Sequence, residues 1–220
     1  MDYIINNEAT LRLSAFLFML SLIFIIELIF PIYVRRIESY KRWIINFSFV
    51  LINTLILRFL FPILAVSFAS ICIKYNIGIF NYFNFNGLFS VIVSFLFLDL
   101  GIWLQHLLFH KVGFLWRFHK IHHSDEEVDF TTGIRFHPIE IIISMIYKFI
   151  LIAIIGPSIA LVIIFEIILN ASSIFNHGNI KIKKKYDLNF RKLIVTPNMH
   201  RIHHSEEEKE TNSNYGFNFS

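Results

Sequence analysis

Two nearly identical stretches, His119-Lys120-Ile121-His122-His123 and His200-Arg201-Ile202-His203-His204, hold most of the imidazole in this chain. A third pair, His106 and His110, lies just upstream of the first copy, so eight of the ten histidines fall in three tight clusters. On a helix, residues three and four apart share a face. That spacing stacks His106 with His110 and lets the three imidazoles of each His-x-x-His-His stretch converge. Neutral imidazole suits iron, zinc, copper and nickel, and disfavours magnesium and calcium. One metal takes three or four protein ligands, so eight or more histidines imply two metals. Without metal, such clustering would bring desolvation and proton repulsion with nothing to offset them.

Two further histidines join the candidate metal set. His177, in FNHGN, returns to the same end of the molecule as the clusters. His137, in RFHPIE, is counted as a ligand, with a hydrogen-bond donor behind a ligand and a helix cap as the other readings. Asp99 precedes His106 by seven residues on the same helical stripe. It is read as an acceptor for a ligand imidazole N–H, or as a partner of Arg58 or of another span. Ser124-x-x-Glu127 and Ser205-x-x-Glu208 match a capping box, and capping outranks catalysis there. Glu27, an ionisable group in an apolar run, must face protein or water, for function or for interhelical pairing.

These residues need elements to hold them, and composition says what kind. The chain has 220 residues, 55% hydrophobic and only 16% charged, with 26 phenylalanines. A soluble domain carries about 25% charged residues, so lipid is expected around much of this surface. Four apolar regions run from Leu11 to Val34, Ile44 to Ile73, Gly87 to His110 and Ile139 to Ala171. Pro31 is expected to end or kink the first. The second is long enough to be one kinked helix or two shorter pieces. Gly156-Pro157 divides the fourth into antiparallel helices or half-helices. Cys72, the single cysteine, is expected to be a buried, inert thiol.

Lysine and arginine concentrate in three segments, 35–42, 111–120 and 181–192, whereas 74–87 holds only Lys74. The span order puts the three basic segments on one side, which the positive-inside rule makes cytoplasmic. This layout explains the net charge of +4 without nucleic acid as a partner. The expected architecture is an all-α, multi-pass integral membrane bundle of about four spans, the last a hairpin. Residues 1–87 form the N-terminal spans, and residues 88–220 form a region whose histidine-rich helical cap lies at the cytoplasmic face.

HLLFH (106–110), HKIHH (119–123), RFHP (135–138), NHGN (176–179) and HRIHH (200–204) resemble the ordered histidine boxes of the fatty acid hydroxylase/sterol desaturase superfamily. The resemblance covers about Asp99 to Gly216. It implies an integral membrane, non-haem di-iron enzyme that uses O2 and two electrons to hydroxylate or desaturate a membrane lipid. By motif it assigns His106, His110, His119, His122, His123, His200, His203 and His204 as ligands of two iron ions, completed by His177 and His137. Relatives continue past the Asn-Tyr-Gly at 214–216 into a Trp-Asp-containing segment, so the outer wall of the site is expected to be truncated here.

Chemistry favours the same reading, because oxidising an alkyl C–H bond needs a redox-active metal and O2. No stretch resembles a nucleotide-binding glycine-rich loop or a haem-attachment motif, so electrons are expected from a separate redox protein. The main alternative is a membrane zinc-dependent lipid hydrolase in which the metal activates water. A haem carrier is disfavoured by the adjacent His122-His123 pair, and a metal carrier would show no substrate-dependent oxygen use.

Overall fold

The computed structural model describes residues 2–35 and 39–220; Arg36, counted above in the first basic segment, lies outside them. Helices follow in the order α1 (Asp2–Asn6), α2 (Glu8–Ile29), α3 (Ser39–Leu60), α4 (Ala65–Lys74), α5 (Ile79–Tyr82), α6 (Leu88–Lys111), α7 (Gly113–His123), α8 (Pro138–Ile155), α9 (Ile159–Asn176), α10 (Lys184–Phe190), α11 (Pro197–His203) and α12 (Glu208–Thr211). Among the described residues there is no β-strand beyond two isolated bridges, Pro31 with Ile180 and Ile194 with Phe219. Among the described residues, five helical segments are long and apolar enough to cross a membrane: α2, the run Ser39–Tyr82, α6, α8 and α9. The protein is a multi-pass, all-α membrane protein.

Proline and glycine punctuate the spans as their backbone limits require. Proline lacks an N–H and disfavours helix in the residue before it. α2 accordingly stops at Ile29, two residues before Pro31, and α3 stops at Leu60, before Pro62. The second apolar region is therefore two pieces, α3 and the ten-residue α4. Gly156 closes α8 in the left-handed conformation (φ 70°), and Ser158 caps α9, its hydroxyl accepting from the Leu161 N–H. The last region is a true helical hairpin.

Lipid tails are as apolar as leucine, so membrane helices associate through close packing and hydrogen bonds. Small residues make that approach here. A Cβ on Gly101 of α6 would lie 2.4 Å from Leu151 Cδ1 of α8. Ala65, Ala69 and the fully buried Cys72 of α4 pack against Ile152, Val162 and Ile163. Polar pairs add direction: Gln105 Nε2 donates to Ser144 Oγ at 2.7 Å, and Lys148 pairs with Glu166, which Arg12 also reaches at 2.8 Å.

At the end remote from the histidines, Gly78 (φ 99°) touches the α8–α9 turn so closely that a Cβ would lie 2.4 Å from Gly156 N. Gly78→Ala meets both a disfavoured φ and a backbone clash. It is expected to destabilise the fold by about 1–3 kcal/mol, seen as a lowered thermal midpoint in detergent, with metal content per folded chain unchanged.

At the histidine end, Glu27 of α2 is a structural pairing residue, but it pairs with loops rather than with another helix. Only 1% exposed, it accepts the N–H groups of Phe130 (2.9 Å) and Asn179 (2.8 Å) and pairs with Arg35. It ties α2 to two loops of the cap. Arg42 reaches Asp125 and Asp129, α7 follows α6 directly, and Lys181 N–H donates to Phe30 O. The described parts of the three basic segments thus share the histidine end, and Gly78 lies at the other.

Candidate metal centre

Four elements deliver the imidazoles. His106 and His110 lie on the last turns of α6, and His119, His122 and His123 end α7. His177 caps the C-terminus of α9, and His200, His203 and His204 close α11. Their ring nitrogens gather into two groups able to hold a metal ion. One comprises His106, His110, His119, His123 and His203; the other comprises His122, His177, His200 and His204. Within each group the donor atoms lie within 4.8 Å of one another.

The three histidines of a box do not converge on one point, as the spacing suggested. Each box gives an i,i+4 pair to one group and its i+3 member to the other: His119 and His123 against His122, His200 and His204 against His203. Successive helical residues diverge by about 100°, so His122 and His123 point to different sides of α7. The groups are neighbours, with the His123 and His204 rings stacked at 4.3 Å.

Partners behind the rings fix which nitrogen faces inward. Nδ1–H of His106 donates to Tyr215 O (2.9 Å), of His122 to Arg135 O (3.2 Å), of His177 to Ser173 O (2.6 Å) and of His203 to Ser213 O (2.6 Å). His119 Nδ1 meets Glu140 Oε1 at 2.7 Å. A carbonyl only accepts, so these Nδ1 atoms carry the proton and each Nε2 is left with a lone pair. Yet the Nε2 atoms of His106 and His203 lie 3.0 Å apart, as do those of His122 and His177. Lone pairs opposed at that distance repel unless a cation lies between them. His110 Nε2, His200 Nδ1, His204 Nδ1 and both His123 nitrogens are buried with no hydrogen-bond partner. The donor set fits two metal ions of the imidazole-preferring class.

Burial also sets the charge. It pushes His177 down to about 3 and His203 down to about 4. Burial, then the neighbouring imidazoles, lowers His119, His122, His123, His200 and His204. Near neutral pH these imidazoles are uncharged, the form that ligates. Aromatic rings close the sides: Phe136 stacks on His122 at 4.6 Å, Trp116 lies 5.0 Å from His110, and Tyr215 lies 5.6 Å from His203.

Some expected roles move. His137 joins neither group; its Nδ1 accepts the Ile139 N–H at 3.1 Å and caps α8, because Pro138 starts a helix whose first N–H groups need an acceptor. Asp99 meets neither a ligand imidazole nor Arg58. Its Oδ1 accepts from Asn218 Nδ2 at 2.8 Å, anchoring the tail that supplies the Tyr215 and Ser213 carbonyls. Neither capping box forms, since both serines follow the end of a helix: Ser124 Oγ donates back to Ile121 O, and Ser205 Oγ accepts from Glu207 N–H. Glu140 was missed, although a carboxylate in the first turn of a span signals a buried partner.

Asp99→Ala is expected to loosen the tail around Asn218 and to weaken metal binding in the five-histidine group by less than the about 10–100-fold that losing a direct partner of a ligand costs. Chelator competition on purified protein checks this, with the four-histidine group, which lacks those two carbonyl contacts, nearly unchanged.

Comparison with known proteins agrees with this geometry. The family model described as fatty acid hydroxylase matches residues 91–220. An ornithine lipid hydroxylase, OlsE, from Rhizobium tropici is 29% identical over 131 residues, 59% of this chain and 38% of that protein. Alkylglycerol monooxygenase from Caenorhabditis elegans is 33% identical over 125 residues, 54% of this chain and 23% of that protein. The human alkylglycerol monooxygenase is 27% identical over 127 residues, 56% and 26% of the two chains. The chain thus spans well under half the length of these relatives. No solved structure matches it.

Proposed function

This chain belongs to the fatty acid hydroxylase family, and from that premise we propose that it is an O2-dependent oxidoreductase that hydroxylates a C–H bond of a membrane lipid at a di-iron centre. The observation that carries the reading is the pair of adjacent all-imidazole groups whose lone pairs oppose one another at one end of the apolar spans. The relatives named a hydroxylase and a monooxygenase favour oxygen insertion over desaturation. His106, His110, His119, His123 and His203 would hold one iron, and His122, His177, His200 and His204 the other.

Bound iron supplies the redox chemistry that lets dioxygen attack an unactivated C–H bond. The overall change is R–H + O2 + 2 electrons + 2 protons → R–OH + H2O. The residues of the chain do the positioning. Backbone carbonyls and Glu140 hold Nδ1–H groups so that Nε2 lone pairs point inward. Phe136, Trp116 and Tyr215 keep bulk water off the rings. A cavity lined by residues of the apolar helices α6, α8 and α9 includes His106 and His119 in its wall, which would let a lipid held among those helices meet the site. The histidine end carries the basic segments, which by the positive-inside rule supports a cytoplasmic location for it. Electrons come from a separate redox protein docking there.

The test is the lipid profile of expressing cells grown with and without O2. A hydroxylated lipid that appears only with both the gene and oxygen supports the proposal. A modified lipid formed equally under anaerobic conditions overturns it.

A further inference from the structure

The cavity beside the five-histidine group has an unusual polar balance. It measures about 170 Å³ and is walled by apolar side chains such as Ile102, Phe109 and Leu169 together with a few polar ones. Several of those polar groups are already committed. Lys148 pairs with Glu166, and Ser173 Oγ donates to Gly133 O at 2.9 Å. Gln105 donates through Nε2 to Ser144 Oγ, which leaves its Oε1 buried without a partner. Glu140, 4% exposed, uses Oε1 for His119 and leaves Oε2 buried without a partner. Both residues with a free oxygen line the same cavity.

A buried acceptor left unpaired costs about 1–3 kcal/mol. Two of them in one cavity between membrane helices call for hydrogen-bond donors. The space is open to several water-sized groups, so a polar part of a larger molecule can enter it.

We infer that this cavity is a specificity pocket for a hydroxyl or amide N–H carried by the lipid, with Gln105 Oε1 and Glu140 Oε2 as its acceptors. The inference rests on the proposed lipid-oxidising role and narrows its substrate to lipids with a hydrogen-bond donor near the oxidised carbon. Because His106 and His119 form one wall, the donor-bearing end of the lipid lies against the five-histidine group. The hydrocarbon tail then extends along the apolar faces of α6, α8 and α9.

The test is equilibrium binding of two lipids of equal chain length to the iron-loaded full chain in detergent, without oxygen. 1,2-Dodecanediol offers two donors, and its dimethyl ether offers none. The diol is expected to bind about tenfold more tightly, within the range for one or two net hydrogen bonds. Gln105→Leu is expected to reduce that preference to about threefold or less through weaker diol binding. Glu140→Gln must keep its carbonyl toward the His119 N–H and so presents an amide donor to the cavity. It is expected to raise affinity for the ether, a signature that loss of packing does not give. Equal wild-type binding of both lipids, binding of neither, or a preference unchanged in both variants overturns the pocket. The oxygenase reading is scored separately by admitting oxygen. A preference for the diol with no oxygen inserted into any lipid defeats that reading and leaves the pocket standing, whereas oxygen insertion with equal affinities defeats the pocket alone.

Discussion

His203→Ala and His122→Ala are each expected to reduce lipid oxidation at least 1,000-fold, an order-of-magnitude figure for losing a ligand itself when losing its supporting partner already costs about 10–100-fold. Each variant is also expected to bind about one iron per chain, against two expected in the wild type. The choice of residues matters. His203 belongs to the five-histidine group and His122 to the four-histidine group, although each stands in a box that mainly serves the other group. If a whole box served a single metal, His203→Ala would spare the five-histidine group and disturb the four-histidine group. Removing His203 also unpairs the Ser213 carbonyl and leaves the His106 Nε2 lone pair without its opposing neighbour. The structural cost should be small, since each loop keeps its other contacts. Metal analysis, activity and thermal unfolding on one preparation separate loss of iron from loss of fold.

The largest effect on stability is expected at Arg42, which belongs to neither metal group. Its guanidinium joins Asp125 at 2.8 Å and Asp129, and donates to Glu127 O. Asp125 is 6% and Asp129 2% exposed. Around them, Asn46 donates to Asp125 and Thr131, and Trp43 Nε1 donates to Asp129 at 2.8 Å. Arg42→Met would bury two carboxylates without their cation. Breaking such a pair costs about 3–5 kcal/mol, a large part of the roughly 5–15 kcal/mol that holds a typical domain folded. For a chain of this size that corresponds to a fall in thermal midpoint on the order of 10 °C. Because the same network seats Arg135, whose carbonyl orients His122, activity should fall with stability. Arg42→Lys should recover only part of the loss, since an ammonium lacks the two-pronged guanidinium geometry. The double variant Arg42→Met/Asp129→Asn should be less damaged than Arg42→Met alone, a result that unfolding curves in detergent would show.

What the sequence could and could not reveal follows from the range of each interaction. The breaks near Pro31, Pro62 and Gly156-Pro157 were legible because these residues act on their own backbone, whereas the helix ends were not: α2 stops at Ile29 rather than Val34 and α3 starts at Ser39 rather than Ile44. The histidine set was legible because few other reasons place clustered imidazoles at helical spacing. The division of each box between two groups was not, since it depends on the positions of α6, α9 and α11 around α7. Carbonyl acceptors such as Tyr215 O and Arg135 O leave no side-chain signature. Asp99 looked like a partner for His106 because both lie on one helical stripe, but Asn218, 119 residues away, takes its oxygen. His137 sat in a motif with the ligands and still caps a helix, because Pro138 starts α8 beside it. Glu140 was passed over because a carboxylate near a helix start also suits the helix dipole.

The measurement that bears most directly on the central claim is isotope tracing with the purified, iron-loaded chain, a reductant and 18O2. Two imidazole-held irons that oxidise a lipid C–H bond should place one 18O atom in the lipid product. That incorporation should disappear in both His122→Ala and His203→Ala. Product oxygen drawn from water, or turnover that persists without O2, would contradict the account and point to a metal-activated water instead.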